Sequence, residues 1–416
     1  MIINKPRTSD GMRHGREPGT VRARVRARGP VPRQASPGEQ TRRVPLPVRT
    51  PRVVAIVPAY NEAASIAATV RALRGQWAPR LDEIIVVPNN CTDDTARLAR
   101  AAGATVLEFP GVNVHKKAGA LNWAITRLLP RLRDEDQILV TDADSVLDPD
   151  FTQHARRALL RPQLNGHRRS RRRRPPVGAV CACFRTDLGP TGLLARLQRN
   201  EYERFARQIG RGGDNALVLS GVATLFDVAA VRAVIAARGH SLPGYPGEFY
   251  HRDTATEDIE LTFAFRALGY RPMAPASARA VTDIMPTWRA LKDQRLRWQR
   301  GMLDSLRIYG LTRATAADLA RQLGIYAGSL LAPAYLAFLL LATLGYGSVP
   351  FSWRWAPLSL LFVIERVWTV RRNRPSDLLL AAVLAPEWAY EQWRSGVYWL
   401  AVWKTLRGSR REWINV

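Results

Sequence analysis

Apolar positions fall along this chain in two regimes. From residue 53 to about 147, short unbroken apolar runs alternate with segments whose apolar positions recur every three or four residues. An unbroken run predicts a strand buried on both faces, and the three-to-four spacing predicts a helix. The strands predicted this way are "VVAIVPAYNE" (53–62), "LDEIIVVP" (81–88), "ATVLEF" (104–109) and "QILVTDADS" (137–145). The helices between them are "SIAATVRALRGQ", opened by Ser65, "TARLARAAG", ending at Gly103, and "KAGALNWAITRLLP". Strand alternating with helix predicts an α/β fold with a parallel sheet covered on both faces. Further along, "VGAVCACF" (177–184) and "LSGVATLFD" (219–227) predict strands, the second bent by glycine. "TATEDIELTFAFRALGY" predicts a polar turn entering a helix, and "TWRALKDQRLRWQRGMLDSL" a basic amphipathic helix.

The second regime begins near residue 320. "LGIYAGSLLAPAYLAFLLLATLGYG" (323–347) has 25 residues and no charge, long enough to cross a bilayer. "VPFSWRWAPLSLLFVIERVWTV" (349–370) predicts a weaker second span, carrying Arg354, Glu365 and Arg366. "LLLAAVLAPEWAYEQW" (378–393) predicts a re-entrant, interfacial or packed helix, with a further hairpin at 378–403 left open. Residues 311–416 are thus expected to hold two to four transmembrane or interfacial helices; a helical soluble domain is the competing reading. Basic residues cluster in 371–374 and in the tail 404–413. The positive-inside rule then predicts a multi-pass cell-membrane protein with its N-terminal domain, 371–374 and the tail in the cytoplasm.

Charge changes the picture less than its size suggests. There are 62 Lys+Arg against 35 Asp+Glu, a formal +27, which points to polyanions, an anionic membrane or phosphate-bearing substrates. Much of the excess lies in residues 1–52 and 161–174. Residues 1–50 read as a disordered Arg-rich tail and 161–176 as a basic surface insertion in a domain spanning 51–310. Cys91, Cys181 and Cys183 form no CxxC pattern, so neither a disulfide framework nor a zinc site is expected. No apolar run follows the N-terminal charges, so no signal peptide is expected.

Three polar clusters, "PAYNE", "PNNCTDD" and "DADS", fall at predicted strand ends. Ligands bind such sheets at the carboxyl ends of their strands, so the clusters converge on one crevice. Asp142 and Asp144 suit Mg²⁺ or Mn²⁺, hard cations that share coordination with phosphates. Alone, the pair reads better as a strand-end turn or helix cap.

"PAYNEAASI", "NNCTDDT", "KAGALN", "DAD", "TED" and "QRLRW", in this order and at these intervals, resemble glycosyltransferase family 2. Within it the likeness is to the membrane-bound synthases of cellulose, chitin, hyaluronan and poly-N-acetylglucosamine, over roughly residues 52–310. The resemblance implies a GT-A domain, a Rossmann-like nucleotide-diphospho-sugar transferase fold. It also implies a UDP-sugar donor, a divalent metal, and inversion at the anomeric carbon. By position, Pro58, Asn61 and Glu62 lie beside the uridine. The family aspartate that receives the uracil N3–H falls on Asn89, whose amide oxygen still accepts a hydrogen bond. Asp93 and Asp94 read as helix caps. Lys117 meets the pyrophosphate. Asp144 is the chief metal ligand, with Asp142 nearer the ribose or diphosphate.

Asp258 of "TED" matches the base and Glu257 positions the acceptor or its loop; a helix cap is the plainer reading of the same three residues. Gln294, Arg297 and Trp298 match QxxRW. Arg297 neutralises the departing diphosphate, and Trp298 offers a flat face to an acceptor sugar. The same helix also reads as a membrane-surface helix, with Arg295 and Arg300 towards lipid headgroups. Gly221 resembles a family turn near the acceptor, or is a plain bend. The expected function is transfer of a hexose, N-acetylglucosamine the leading choice, to a glycan or lipid-linked acceptor. The small membrane region and the absence of preceding spans argue for one or a few transfers rather than polymer extrusion. Two other readings compete. A nucleotidyltransferase explains the DxD but not TED with QxxRW; a non-catalytic binder of membranes or nucleic acid explains the charge but not the motif order, and no nucleic-acid partner is expected.

Overall fold

The computed structural model describes residues 50–164, 175–186, 191–347 and 353–408. The tail 1–50 and the insertion 161–176 therefore lie largely outside the described residues. In the first half, β1 (Val53–Ala59), α1 (Ile66–Arg74), β2 (Glu83–Pro88), α2 (Thr95–Ala101), β3 (Thr105–Val106), α3 (Lys116–Leu128) and β4 (Gln137–Thr141) alternate as the pattern predicts. Then come β5 (Val146–Leu147), α4 (Phe151–Leu164), β6 (Ala179–Cys181), β7 (Cys183–Thr186), α5 (Leu193–Arg211), β8 (Ala223–Asp227) and α6 (Val228–Ala237). The rest is α7 (Glu257–Ala267), β9 (Pro272–Met273), β10 (Arg279–Thr282), α8 (Trp288–Tyr309), α9 (Ala316–Tyr346), α10 (Ala356–Thr369), α11 (Pro375–Val383) and α12 (Ala385–Leu406).

The main sheet runs β3-β2-β1-β4-β8-β6-β9. Its central strands are largely apolar because both faces are covered. Along β1, Val54 and Ile56 enter one core while Val53, Ala55 and Val57 enter the other. The first four strands are parallel, as expected. The expectation of a parallel sheet fails at β8, which runs antiparallel to both β4 and β6. The cause is local. Gly221 O accepts from Asp142 N at 3.1 Å, so the chain enters β8 where β4 ends and runs back along it. A doubly buried strand is apolar in either direction, so the pattern carries no sign of this. "VGAVCACF" also divides: β6 joins the main sheet, while β7 pairs with β10 in a small β5-β10-β7 sheet. The switch is at Ala182, whose N–H goes to Ala223 while the Cys183 N–H goes to Ala278.

Beyond the sheet, α9 is 31 residues long and mostly exposed, with Pro333 inside it. Among the described residues it is the one helix long and apolar enough to cross a membrane. The second expected span is cut short. α10 has 14 residues, about 21 Å at 1.5 Å per residue, against a hydrocarbon core of about 30 Å. Segment 378–393 is two helices rather than one, broken at Leu384 (φ 63°) ahead of Pro386.

Both ends of the α9–α10 excursion are tied to the sheet domain. Asp318, buried in the first turn of α9, accepts from Arg266 of α7. Glu365 of α10 pairs with Arg211 of α5 at 3.0 Å. Exposed leucines and aromatics lie between these ties, among them Leu331, Phe338, Leu341 and Leu360. α12 then packs along α8.

Candidate active site

The carboxyl ends of β1, β2 and β4 carry the predicted polar clusters, and hydrogen bonds knit them together. Asn61, just past β1, sits at φ 53°. That left-handed turn lets its Oδ1 accept from Thr92 N at 2.8 Å, joining the β1 and β2 turns. The Glu62 N–H goes to Thr95 Oγ1 at 2.8 Å, and Glu62 Oε2 accepts from Ser65 Oγ at 2.7 Å. Ser65 thus opens α1 by holding Glu62 and makes no side-chain cap. Burial, and then the charges of Asp144, Asp142 and Asp93, push the Glu62 carboxyl up. The structure therefore gathers Glu62 with the Asp-Ala-Asp turn. Asp93 receives the N–H groups of Ala63 and Thr95, each at 3.0 Å. It ties the start of α2 to the β1 turn, in keeping with a capping role, whereas Asp94, at the cap position itself, makes no side-chain cap bond and pairs with Arg97 at 2.9 Å.

Asn89, at the end of β2, is buried, and its Oδ1 accepts from Asn113 Nδ2 at 2.8 Å. The oxygen assigned to a base is thus already used once, and only its second lone pair remains. Asn113 donates as well to Lys116 O at 2.6 Å and accepts from His115 N at 2.9 Å. This amide sets the start of α3 against β2. Sequence reasoning missed it, because "GVNVHKK" shows no periodicity.

Lys117, in the first turn of α3, is the hub. Its Nζ is 2.5 Å from Asp142 Oδ1 and 3.2 Å from Glu257 Oε1. Burial works against its charge. Asp142, Glu257 and Asp258 outweigh burial and hold the ammonium well above the ordinary lysine range. Burial raises the Asp142 carboxyl, Lys117 opposes this, and Asp144 adds to the rise. Gly221 faces this pair. A Cβ there would sit 2.8 Å from Lys117 Nζ and 3.1 Å from Asp142 Oδ2. Any side chain would enter the ion pair, so the bend does more than turn the chain.

Asp258 lies at the start of α7. Thr256, at the cap position, makes no side-chain cap bond, and its buried Oγ1 has no partner. The helix-cap reading of "TED" therefore fails. Asp258 Oδ1 accepts from Ile259 N at 2.8 Å. Burial first, then the Glu257 charge, push its carboxyl up to about 6, against the pull of Lys117. Glu257 pairs with Lys117 through Oε1. The loop before it is fixed by Asn122, a polar residue on the buried stripe of α3. Its amide accepts from Phe249 N and Tyr250 N and donates to Tyr250 O.

Two cavities meet at Asp258. A small one is lined by Lys117, Gly221, Tyr250 and Glu257. A larger one, about 570 Å³, reaches from Asp258 past Trp298 and Met302 to Ile325 and Gly328 of α9 and Tyr398 of α12. Asp258 and Ser220 line both.

The QxxRW helix departs from expectation at Arg295. It is 1% exposed and pairs with Glu201 of α5 at 2.9 Å, so it does not face lipid headgroups. Its Nη1 donates to Gln294 Oε1 at 2.8 Å, and its guanidinium stacks on Trp298 at 4.4 Å. Gln294 and Trp298 are thus held by the intervening arginine. Arg297 is half-buried and is not among the residues lining the two cavities, whereas Arg295 and Trp298 line the larger. Glu201 also receives Tyr390 Oη at 2.6 Å and Arg394 at 2.7 Å from α12. Burial would raise this carboxyl, but Arg295 and Arg394 hold it at about 2.

α8 approaches the "TED" turn through Gly301, where a Cβ would lie 1.9 Å from Thr256 Oγ1. Gly301→Ala is expected to cost about 1–3 kcal/mol of stability by overpacking. The same variant in a Thr256→Ala background should lose less. Thermal unfolding of the four proteins checks this.

A family model described as "Glycosyltransferase like family 2" matches residues 51–301. The chain is similar in structure to a mannosyltransferase, PcManGT from Pyrobaculum calidifontis, solved with GDP-Man and Mn²⁺. Identity is 20%, coverage is 88% of this chain and 89% of that one, and the TM-score is 0.53. Glucosyl-3-phosphoglycerate synthase from Mycobacterium tuberculosis, solved with Mn²⁺, UDP-glucose and phosphoglyceric acid, matches 62% of this chain and 80% of its own. Its identity is 20% and its TM-score 0.37. No curated protein matches the chain in sequence.

Proposed function

The chain belongs to glycosyltransferase-like family 2, and from that premise we propose a membrane-anchored, inverting enzyme that moves a hexose from a UDP-sugar to a hydroxyl of a glycan or lipid-linked acceptor. Family membership makes it a glycosyltransferase and sets aside the nucleotidyltransferase and non-catalytic readings. N-acetylglucosamine is the leading choice of sugar. One observation carries the proposal: Asp258 lines the cavity that reaches α9 and α12 and also a pocket of about 10 Å³ beside Lys117 and Glu257. A base there takes a proton from an acceptor in the larger cavity, with Lys117 and the Asp-Ala-Asp turn on the donor side.

The residues fit a metal. Asp144 is half-exposed beside Glu62, and Asp142 has a second oxygen beyond the one on Lys117. Among the described residues no three metal-ligating side chains gather. A cation held largely by diphosphate oxygens needs only one or two carboxylates. Mg²⁺ or Mn²⁺ bound there would neutralise charge on the departing diphosphate. Lys117 supplies fixed positive charge beside it. Trp298, braced by Arg295, walls the acceptor side.

The anchored, few-transfer reading is supported by α9–α10. Its apolar surface leaves the sheet domain at Asp318 and returns at Glu365. A hairpin entering the membrane, with α9 as its long arm and α10 as a return arm shorter than the hydrocarbon core, would keep the sheet domain, residues 371–374 and α12 on one side, which we assign to the cytoplasm. An exposed apolar surface of this size in water would be an association liability.

The test is release of nucleoside diphosphate by the full chain in detergent with membrane lipid extract. UDP-N-acetylglucosamine, UDP-glucose and GDP-mannose are compared, with and without EDTA. UDP release lost in EDTA, with the labelled sugar in the organic phase, is expected. Turnover of GDP-mannose alone would replace the donor assignment. Turnover unchanged by EDTA would refute the metal site.

A further inference from the structure

A second cavity, of about 760 Å³, lies among α5, the small sheet and the turn from α10 to α11. Neither the donor site nor the acceptor side uses it. Its lining is strongly basic. Arg185 of β7 and Arg279 of β10 form one wall, and Arg199, Arg207 and Arg211 of α5 form another. Arg371 and Arg372 close it from the turn.

The counter-charges are fewer. Arg185 pairs with Asp148 at 2.9 Å, Arg199 with Asp377 at 3.0 Å, and Arg211 with Glu365 at 3.0 Å. Glu203 is the one carboxylate in the lining. Burial raises it, and Arg279, Arg372 and Arg185, all in the same lining, pull it back. Among the described residues, seven guanidiniums thus line the cavity with Glu203 as the carboxylate among them. A concave wall this rich in guanidiniums favours the entry of an anion. Guanidinium forks match phosphate oxygens in pairs. The volume falls in the range of small-molecule sites, roughly 300–1,000 Å³, more than a single inorganic ion fills. α10, which ends at the cavity, exposes Leu360, Leu361, Phe362 and Ile364. The mouth thus adjoins the apolar surface.

We propose that this cavity is a second anion site that binds a phosphate-bearing ligand, separate from the donor diphosphate, with Arg279, Arg372 and Arg185 as its principal contacts. The phosphate belongs either to an anionic phospholipid headgroup or to a soluble phosphate ester. Phe184 and Tyr202 line both this cavity and the one that reaches Asp258. Occupancy on one side therefore presses on a wall of the other.

The full chain in neutral detergent is titrated with dioctanoyl-phosphatidylglycerol, dioctanoyl-phosphatidylcholine and glycerol 3-phosphate, in saturating UDP and Mg²⁺, and binding is read by thermophoresis. Phosphatidylglycerol binding without glycerol 3-phosphate binding assigns a lipid headgroup; glycerol 3-phosphate binding assigns a soluble ester. Either supports the site, provided Arg279→Gln/Arg372→Gln weakens it about tenfold or more. Arg372→Gln alone, at an exposed position, should weaken it by a smaller factor in a fold that needs no repacking. Binding of no phosphate ligand by the wild type would overturn the proposal. So would equal binding by wild type and both variants, or equal affinity for phosphatidylcholine and phosphatidylglycerol.

Discussion

Asp258→Asn is expected to slow nucleoside diphosphate release with acceptor by about 10²- to 10⁴-fold, the usual worth of a general base. The change keeps the shape and the Oδ1 that accepts from Ile259 N, so the fold should survive. It removes the one group shared by the two cavities that can take a proton. The pH dependence distinguishes this from a mere change of charge. Burial and Glu257 raise the Asp258 carboxyl to about 6. A base works only when deprotonated. Wild-type turnover should therefore be full above that value and fall with unit slope as pH drops through it. In Asp258→Asn the residual rate should show no such limb. A variant that kept both the rate and the acid limb would move the base elsewhere. Steady-state kcat/KM between pH 5 and 8 reads both.

The order of elements was legible in the sequence because it depends on local apolar spacing. The convergence of Asn61, Glu62 and Asp142 was legible because strand ends of a parallel sheet share one edge. Three things were not. The direction of β8 left no trace, since a strand buried on both faces is apolar either way. The role of Arg295 was hidden because its partner, Glu201, is 94 positions away. A basic helix with apolar flanks looks the same whether its arginines meet lipid or a buried carboxylate. Gly301 was passed over because a glycine inside a helix signals close approach only once its neighbour is known. Asn122 was the exception: an amide on an otherwise apolar stripe is a signal that could have been read.

Arg238 carries the largest expected effect on stability. It closes the last turn of α6 and is 0% exposed, as is Glu260 of α7. The two meet in a fork, Nη1 to Oε1 at 2.6 Å and Nη2 to Oε2 at 2.9 Å. Arg238 also donates to Phe249 O at 2.8 Å and Pro243 O at 2.7 Å, and Tyr309 of α8 donates to Glu260 at 2.6 Å. One guanidinium thus joins α6, α7 and the loop that precedes "TED". Arg238→Met fills similar space but leaves the Glu260 carboxylate buried without its cation, which costs about 3–5 kcal/mol. Arg238→Met/Glu260→Met removes the stranded charge and should recover part of that loss. Denaturant midpoints of the wild type and the two variants decide it. If the double variant is less stable than the single, the charge is not what makes Arg238 costly to lose, and its two backbone contacts are. The loop at Phe249–Tyr250 then predicts the functional consequence. It is held by Arg238 on one side and Asn122 on the other, and Tyr250 lines the cavity with Asp258. Arg238→Met should therefore lower turnover even at temperatures where the protein remains folded.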